Sequence, residues 1–77
     1  MIEHPAVTVD DNRIEQIIED EHKPWWNEEV LKYFHHEKEF SLADIGRIFK
    51  KSRKTIQGIC RRKSIETFYH DSKVKLI

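Results

Sequence analysis

Three kinds of residue are scarce in this 77-residue chain, and each shortage narrows what the protein can be. The single cysteine, Cys60, excludes an internal disulfide and favours a reducing, cytoplasmic setting. Only two glycines and two prolines are present, so we expect one small domain without long flexible linkers. No apolar run approaches the roughly 20 residues that cross a bilayer, so we expect no membrane association.

Net charge is also missing, but only in the total, where 14 Lys and Arg balance 14 Asp and Glu. Residues 1–45 hold 12 acids against 4 Lys or Arg, a net charge of −8. Residues 46–77 hold 2 acids against 10 Lys or Arg, a net charge of +8. This asymmetry indicates a polyanionic partner, or an acidic segment beside a basic surface. The alternative is two solvated faces whose charges cancel.

Apolar spacing predicts a mainly α-helical protein built as a small bundle of three to four helices. An acidic helix is expected over residues 10–22, with Ile14, Ile17 and Ile18 along its apolar side. It should end before Pro24, because the residue that precedes a proline disfavours the helical conformation. Residues 27–63 are expected to form a tri-helical core, and residues 1–9 a tail or a short strand.

Each helix of the tri-helical core has its own start signal. Asn27 is a good N-cap for a helix that runs to about residue 37. Ser41, followed three residues later by Asp44, has the pattern of a capping box. Ser52 is expected to cap a last helix over residues 53–62.

The stretch FSLADIGRIFKKSRKTIQGICRRK, residues 40–63, combines two short helices with a polar turn. Gly46 provides a small residue where two helices cross, and Ile45, Phe49, Ile56 and Ile59 have the spacing of buried positions. Residues 42–61 resemble the helix-turn-helix motif of small DNA-binding domains of the tri-helical and winged-helix types. This resemblance implies a single helix-turn-helix domain over residues 1–77 that binds double-stranded DNA with its last helix.

The resemblance and helical geometry together assign roles to polar residues of the last helix and its flanks. Arg53, Lys54, Gln57 and Arg61 are expected opposite the buried isoleucines, where Arg reads guanine and Gln reads adenine. Phosphate contacts are expected from the two hydroxyls near the helix start and from four flanking cations. These phosphate-binding residues are Ser52, Thr55, Lys50, Lys51, Arg62 and Lys63.

Three positions depart from a typical helix-turn-helix. Lys50 occupies a turn position that is often glycine, and Lys51 one that is often aliphatic. Gly58, in the middle of the last helix, lowers helix stability by about 1 kcal/mol relative to alanine. Either close approach of the backbone to DNA, close packing or simple tolerance explains a glycine there.

The final segment, residues 64–77, has β-prone stretches on either side of Asp71 and Ser72. A β-hairpin wing is one interpretation. A tail, or one strand that pairs with residues 6–9, is the other.

Chemistry other than DNA binding has little support. We expect no metal and no other cofactor, because the five histidines and one cysteine lack the spacing of a zinc site. We expect no enzymatic activity, because no nucleophile–base pair or phosphate-binding glycine loop is present.

DNA binding fits transcriptional regulation or a DNA transaction of a phage or mobile element. The acidic N-terminal half is a candidate surface for a homodimer or a protein partner. One alternative is a protein-interaction module that docks on RNA polymerase or another enzyme through acidic and aromatic residues. Another is a DNA-binding fragment of a larger nuclease or transposase.

Overall fold

Four α-helices dominate the computed structural model, which describes residues 9–72. They are α1 (Asn12–Asp20), α2 (Glu28–Lys32), α3 (Leu42–Phe49) and α4 (Arg53–Arg62). A 3₁₀ turn, Pro24–Trp26, precedes α2, and a π-helical turn, Tyr33–Glu37, continues it. The predicted mainly α-helical fold is confirmed. None of these helices has the length and apolar character needed to span a bilayer.

Side-chain caps begin all four α-helices within residues 9–72. The carboxylate of Asp11 accepts from two backbone N–H groups of α1, and Asn27 does the same for α2. Ser41 and Asp44 form the predicted capping box of α3, and Ser52 accepts from the N–H of Thr55 in α4. These bonds satisfy backbone donors that have no partner inside a helix. The predicted starts of α2, α3 and α4 are confirmed.

The first helix is shorter than the predicted residues 10–22. It begins at Asn12, because Asp11 takes an extended conformation and caps it. It ends at Asp20, where Glu21 turns to an extended backbone with ψ 140°. This early end leaves three residues to reach the Pro24–Trp26 turn, on which α1 packs.

Aromatic and branched side chains from all four helices form one core. Phe34 lies at its centre and is fully buried, with its ring centroid 5.8 Å from that of Phe40 and 5.9 Å from that of Phe49. Ile14 joins from α1 and Ile56 from α4, which places both helices on the same core. The acidic helix is therefore part of the folded unit.

The connection between α3 and α4 consists of residues 50–52. Lys50 adopts the left-handed conformation with φ 57°, and the N–H of Lys51 donates to the Gly46 carbonyl at 2.7 Å. This 6→1 bond is typical of a Schellman end, where glycine is the favoured left-handed residue. Lys50 therefore occupies the position that needs positive φ and that is usually glycine.

Lys50→Gly is expected to raise the free energy of unfolding by about 0.5–1 kcal/mol, because glycine has no Cβ to disfavour positive φ. Lys51→Gly is the matched control. Lys51 is not among the residues with positive φ, so its replacement should destabilise the protein through the added freedom of the unfolded chain. Urea denaturation of the three proteins measures both effects. A Lys50→Gly variant no more stable than the parent would contradict the left-handed assignment.

Three histidines hold the segment of residues 66–70, here called the C-terminal strap, against the end of the α2 region. The Nε2 of His36 lies 2.6 Å from the Glu66 carbonyl oxygen. The Phe68 N–H donates to the Nε2 of His35 at 2.8 Å, and the Nε2 of His70 donates to the His35 carbonyl at 3.1 Å.

The predicted hairpin wing stays a prediction. Residues 65–72 have no regular secondary structure, and the second half of the hairpin, residues 73–77, lies outside the described residues. The predicted tail or strand at residues 1–9 lies outside them as well, apart from Val9.

Candidate nucleic-acid interface

One side of α4 is buried and the other faces solvent. Ile56, Ile59 and Cys60 are at most 3% exposed and pack on the core. Burial raises the pKa of the Cys60 thiol, so this cysteine acts as a core residue. Gly46 of α3 lets the connection to α4 approach closely, since a Cβ built there would lie 2.5 Å from the Lys51 carbonyl oxygen.

Most of the predicted DNA-binding residues are exposed. Gln57 and Lys63 are half-buried, and the others lie in solvent. The exposed ones are Lys50, Lys51, Ser52, Arg53, Lys54, Thr55, Arg61 and Arg62.

Fewer residues of α4 face directly outward than were predicted to read bases. Lys54, Gly58 and Arg61 follow each other at i, i+4 and i+7, on the side opposite the buried residues. Gln57 lies at the margin of this line. Arg53 lies elsewhere: it lines a shallow groove with the start of α3 and the C-terminal strap. The structure thus groups Lys54 and Arg61 and separates Arg53 from them.

The two hydroxyls predicted to bind phosphate are engaged at the start of α4. The Oγ of Ser52 accepts from the Thr55 N–H at 3.1 Å and lies 2.8 Å from the Thr55 hydroxyl oxygen. Their first role is to cap the helix, and the phosphate role stays a prediction.

Cations of α4 and its flanks differ in their partners from three cations of the acidic half, and from Arg47 of α3, which pairs with Asp44 at 3.3 Å. In the acidic half, Arg13 pairs with Glu29 at 2.6 Å, which lowers the pKa of that carboxyl. Lys32 and Lys38 are also paired with carboxylates, each at 3.0 Å. Within residues 9–72, no cation of α4 or its flanks forms an ion pair. These unpaired cations, here called the basic surface, are Lys50, Lys51, Arg53, Lys54, Arg61, Arg62 and Lys63.

Two tryptophans next to the basic surface were not among the predicted site residues. The ammonium of Lys51 lies 4.5 Å from the ring centroid of Trp25, and that of Lys63 lies 6.0 Å from the ring of Trp26. The adjacent tryptophans after Pro24 were the available signal, but their position beside α4 depends on tertiary packing.

Side chains that could bind a metal ion do not come together in the part of the chain that the structure describes. Within residues 9–72, no three His, Cys, Asp or Glu side chains are arranged to hold a metal ion. The three clustered histidines bind backbone groups instead.

No protein-family model matches the chain, and no curated protein or solved structure is significantly similar to it.

Proposed function

We propose that the protein binds double-stranded DNA through the outward side of α4. The observation that carries this proposal is the basic surface, seven cations around one helix that have no carboxylate partner within residues 9–72. A phosphate backbone supplies the missing negative charge, and release of its counterions drives association. A solvated helix with no ligand would have no need for such a concentration of one sign.

In this proposal α4 enters the major groove. Lys54 and Arg61 face the base edges, where Arg is suited to guanine O6 and N7. Gln57 reaches adenine from the margin of the same line. The remaining basic residues and the start of α4 contact phosphates on either side.

One helix reads only a few base pairs, so specific binding requires a second copy or a protein partner. The exposed acidic side of α1 is the candidate surface for it, with Glu15, Glu19 and Asp20 facing solvent. The proposed role is transcriptional regulation or a DNA transaction of a phage or mobile element.

Replacement of both Lys54 and Arg61 by alanine tests the proposal. On a duplex selected from a random pool, each substitution is expected to lower binding by about 1–3 kcal/mol and to relax sequence preference. Lys32→Ala is the matched control, because Lys32 is equally exposed but pairs with Glu28 on the acidic half. Fluorescence anisotropy at two salt concentrations measures affinity and salt dependence together.

The outcomes separate the candidate functions. Equal binding by the double variant and the parent would exclude α4 as the DNA-contacting helix. A parent protein that binds no duplex at either salt concentration would exclude the proposal altogether. A salt-insensitive complex with a protein, with no affinity for DNA, would instead support the interaction-module alternative.

A further inference from the structure

The Pro24–Trp26 turn holds two tryptophans, and each lies near a lysine from a different end of α4. Lys51 precedes α4 and holds its ammonium over Trp25, whereas Lys63 follows α4 and holds its ammonium near Trp26. The two tryptophans are adjacent in sequence, so the turn brings both ammonium groups next to neighbouring rings. The pair of ammonium groups and the turn form one surface.

The two tryptophans have different surroundings. Trp25 is half-buried, and its ring centroid lies 6.2 Å from that of Phe49, so it anchors the turn to the core. Trp26 is 39% exposed and is one of three large apolar side chains that face solvent within residues 9–72. Trp26 is therefore the indole that can meet a ligand without unfolding the core.

The position of this surface relative to α4 fits a nucleic-acid backbone better than a base. The line of Lys54, Gly58 and Arg61 faces outward, whereas Lys63 is half-buried and follows the buried Ile59 by four residues, so this surface lies away from the line that faces the bases. A major groove that receives a helix has phosphates along both of its edges, and these edges lie beside the helix.

We propose that Trp26, together with Lys51 and Lys63, contacts the phosphate–deoxyribose backbone of duplex DNA at the edge of the groove. The inference rests on the proposed function. An indole offers an N–H donor for a phosphate oxygen and an apolar surface for the sugar. A lysine ammonium over a ring retains N–H donors for phosphate, and neither lysine has a carboxylate partner within residues 9–72.

Trp26→Ala is the main test. It should weaken binding to every duplex alike, by about three- to tenfold, somewhat less than one base stacked on an indole provides. Because the indole is uncharged, the salt dependence should stay that of the parent. Lys63→Ala should instead lower the slope of log affinity against log salt by about 1.

Tyr69→Ala is the matched control. Tyr69 is 88% exposed, but its hydroxyl bonds to the Asp71 carboxylate at 3.2 Å, a neighbour that repels phosphate. Its replacement should leave DNA binding unchanged. Trp26→Phe keeps one aromatic ring in the turn but loses the N–H and part of the apolar surface of the indole, so it should bind between the parent and Trp26→Ala even where the alanine variant folds poorly.

Each outcome has a distinct consequence. Equal affinity of Trp26→Ala and the parent for duplex DNA would overturn the proposed contact and leave the proposed function intact. A loss confined to single strands, or to one preferred sequence, would show that Trp26 meets bases and would also overturn it. A parent that binds no duplex would remove the proposed function, and the contact with it.

Discussion

Gly46→Ala is expected to destabilise the protein by about 1–3 kcal/mol, because even a methyl group overpacks the contact between α3 and α4. A Cβ at Gly46 would lie 2.5 Å from the Lys51 carbonyl oxygen and 3.3 Å from the Ser52 carbonyl carbon. Both neighbours are backbone atoms of the connection that aims α4, so they cannot move aside as a side chain would. Thermal and urea denaturation measure the loss.

Gly58→Ala is the matched control, a glycine in the next helix with open space around it. No atom lies within 4 Å of a Cβ built at Gly58, so alanine should raise the free energy of unfolding by about 0.5–1 kcal/mol through helix propensity. A Gly46→Ala variant as stable as the parent would contradict the close approach at Gly46, and a destabilised Gly58→Ala variant would contradict the open space at Gly58. If Gly58→Ala is also found to weaken DNA binding, close approach of the backbone to DNA explains this glycine.

Local chemistry made most helix starts predictable. A cap depends on residues within one turn of each other, so Asn27, the Ser41–Asp44 pair and Ser52 could be recognised without any tertiary information. The burial of Ile56 and Ile59 followed from spacing alone. The close packing at Gly46 agrees with the prediction in part, because the two nearest atoms are backbone atoms of Lys51 and Ser52 in the connection, and the Arg53 nitrogen of α4 is the third.

Features that depend on distant partners could not be predicted. The π-helical turn buries three consecutive side chains, Tyr33, Phe34 and His35, a pattern that no single helical period encodes. The bonds between this turn and the C-terminal strap join residues that are 30 to 35 positions apart in the sequence.

The candidate site was predictable only in part, because some of its features depend on one helix and others on distant residues. Which residues of α4 face outward follows from helical geometry, so the exposure of Lys54 and Arg61 could be predicted. The neighbours of that helix could not. Trp25 and Trp26 reach Lys51 and Lys63 through a turn elsewhere in the chain, and Arg53 lines a groove together with the C-terminal strap.

His35→Leu is expected to destabilise the protein by about 2–3 kcal/mol, because it removes a fully buried, doubly hydrogen-bonded side chain. The Nδ1 of His35 lies 2.8 Å from the Phe40 carbonyl oxygen, which only accepts, so Nδ1 carries the proton. Its Nε2 accepts from the Phe68 N–H at 2.8 Å and is therefore unprotonated. Both bonds require the neutral imidazole.

His35→Gln is the conservative companion. The glutamine amide oxygen extends about as far from the backbone as Nε2 and can accept from the Phe68 N–H. We expect His35→Gln to retain part of the stability that is lost in His35→Leu. Equal loss in the two variants would mean that the hydrogen bond to the strap contributes nothing measurable.

The same geometry makes stability depend on pH. Burial, with smaller contributions from His70 and His36, holds the pKa of His35 below its ordinary value, against the opposing effect of the Phe40 carbonyl. Below about pH 6.5 the unfolded chain therefore binds a proton that the folded protein excludes. The stabilising contribution of neutral His35 is complete above that pH. It falls by up to about 1.4 kcal/mol per pH unit as the pH drops towards the folded pKa.

Urea denaturation of the parent and of His35→Gln between pH 7.5 and roughly pH 5 tests this dependence. The parent should lose stability as the pH falls through the lower part of that range. The glutamine variant lacks the buried titrating group, so its stability should fall less steeply. Protonation of His35 forces the ring to give up the Phe68 N–H, so exchange of that amide should accelerate first, before global unfolding. Identical pH profiles for the two proteins would show that His35 has the same pKa in the folded protein as in the unfolded chain. The assignment of a neutral imidazole with two hydrogen bonds would then be wrong.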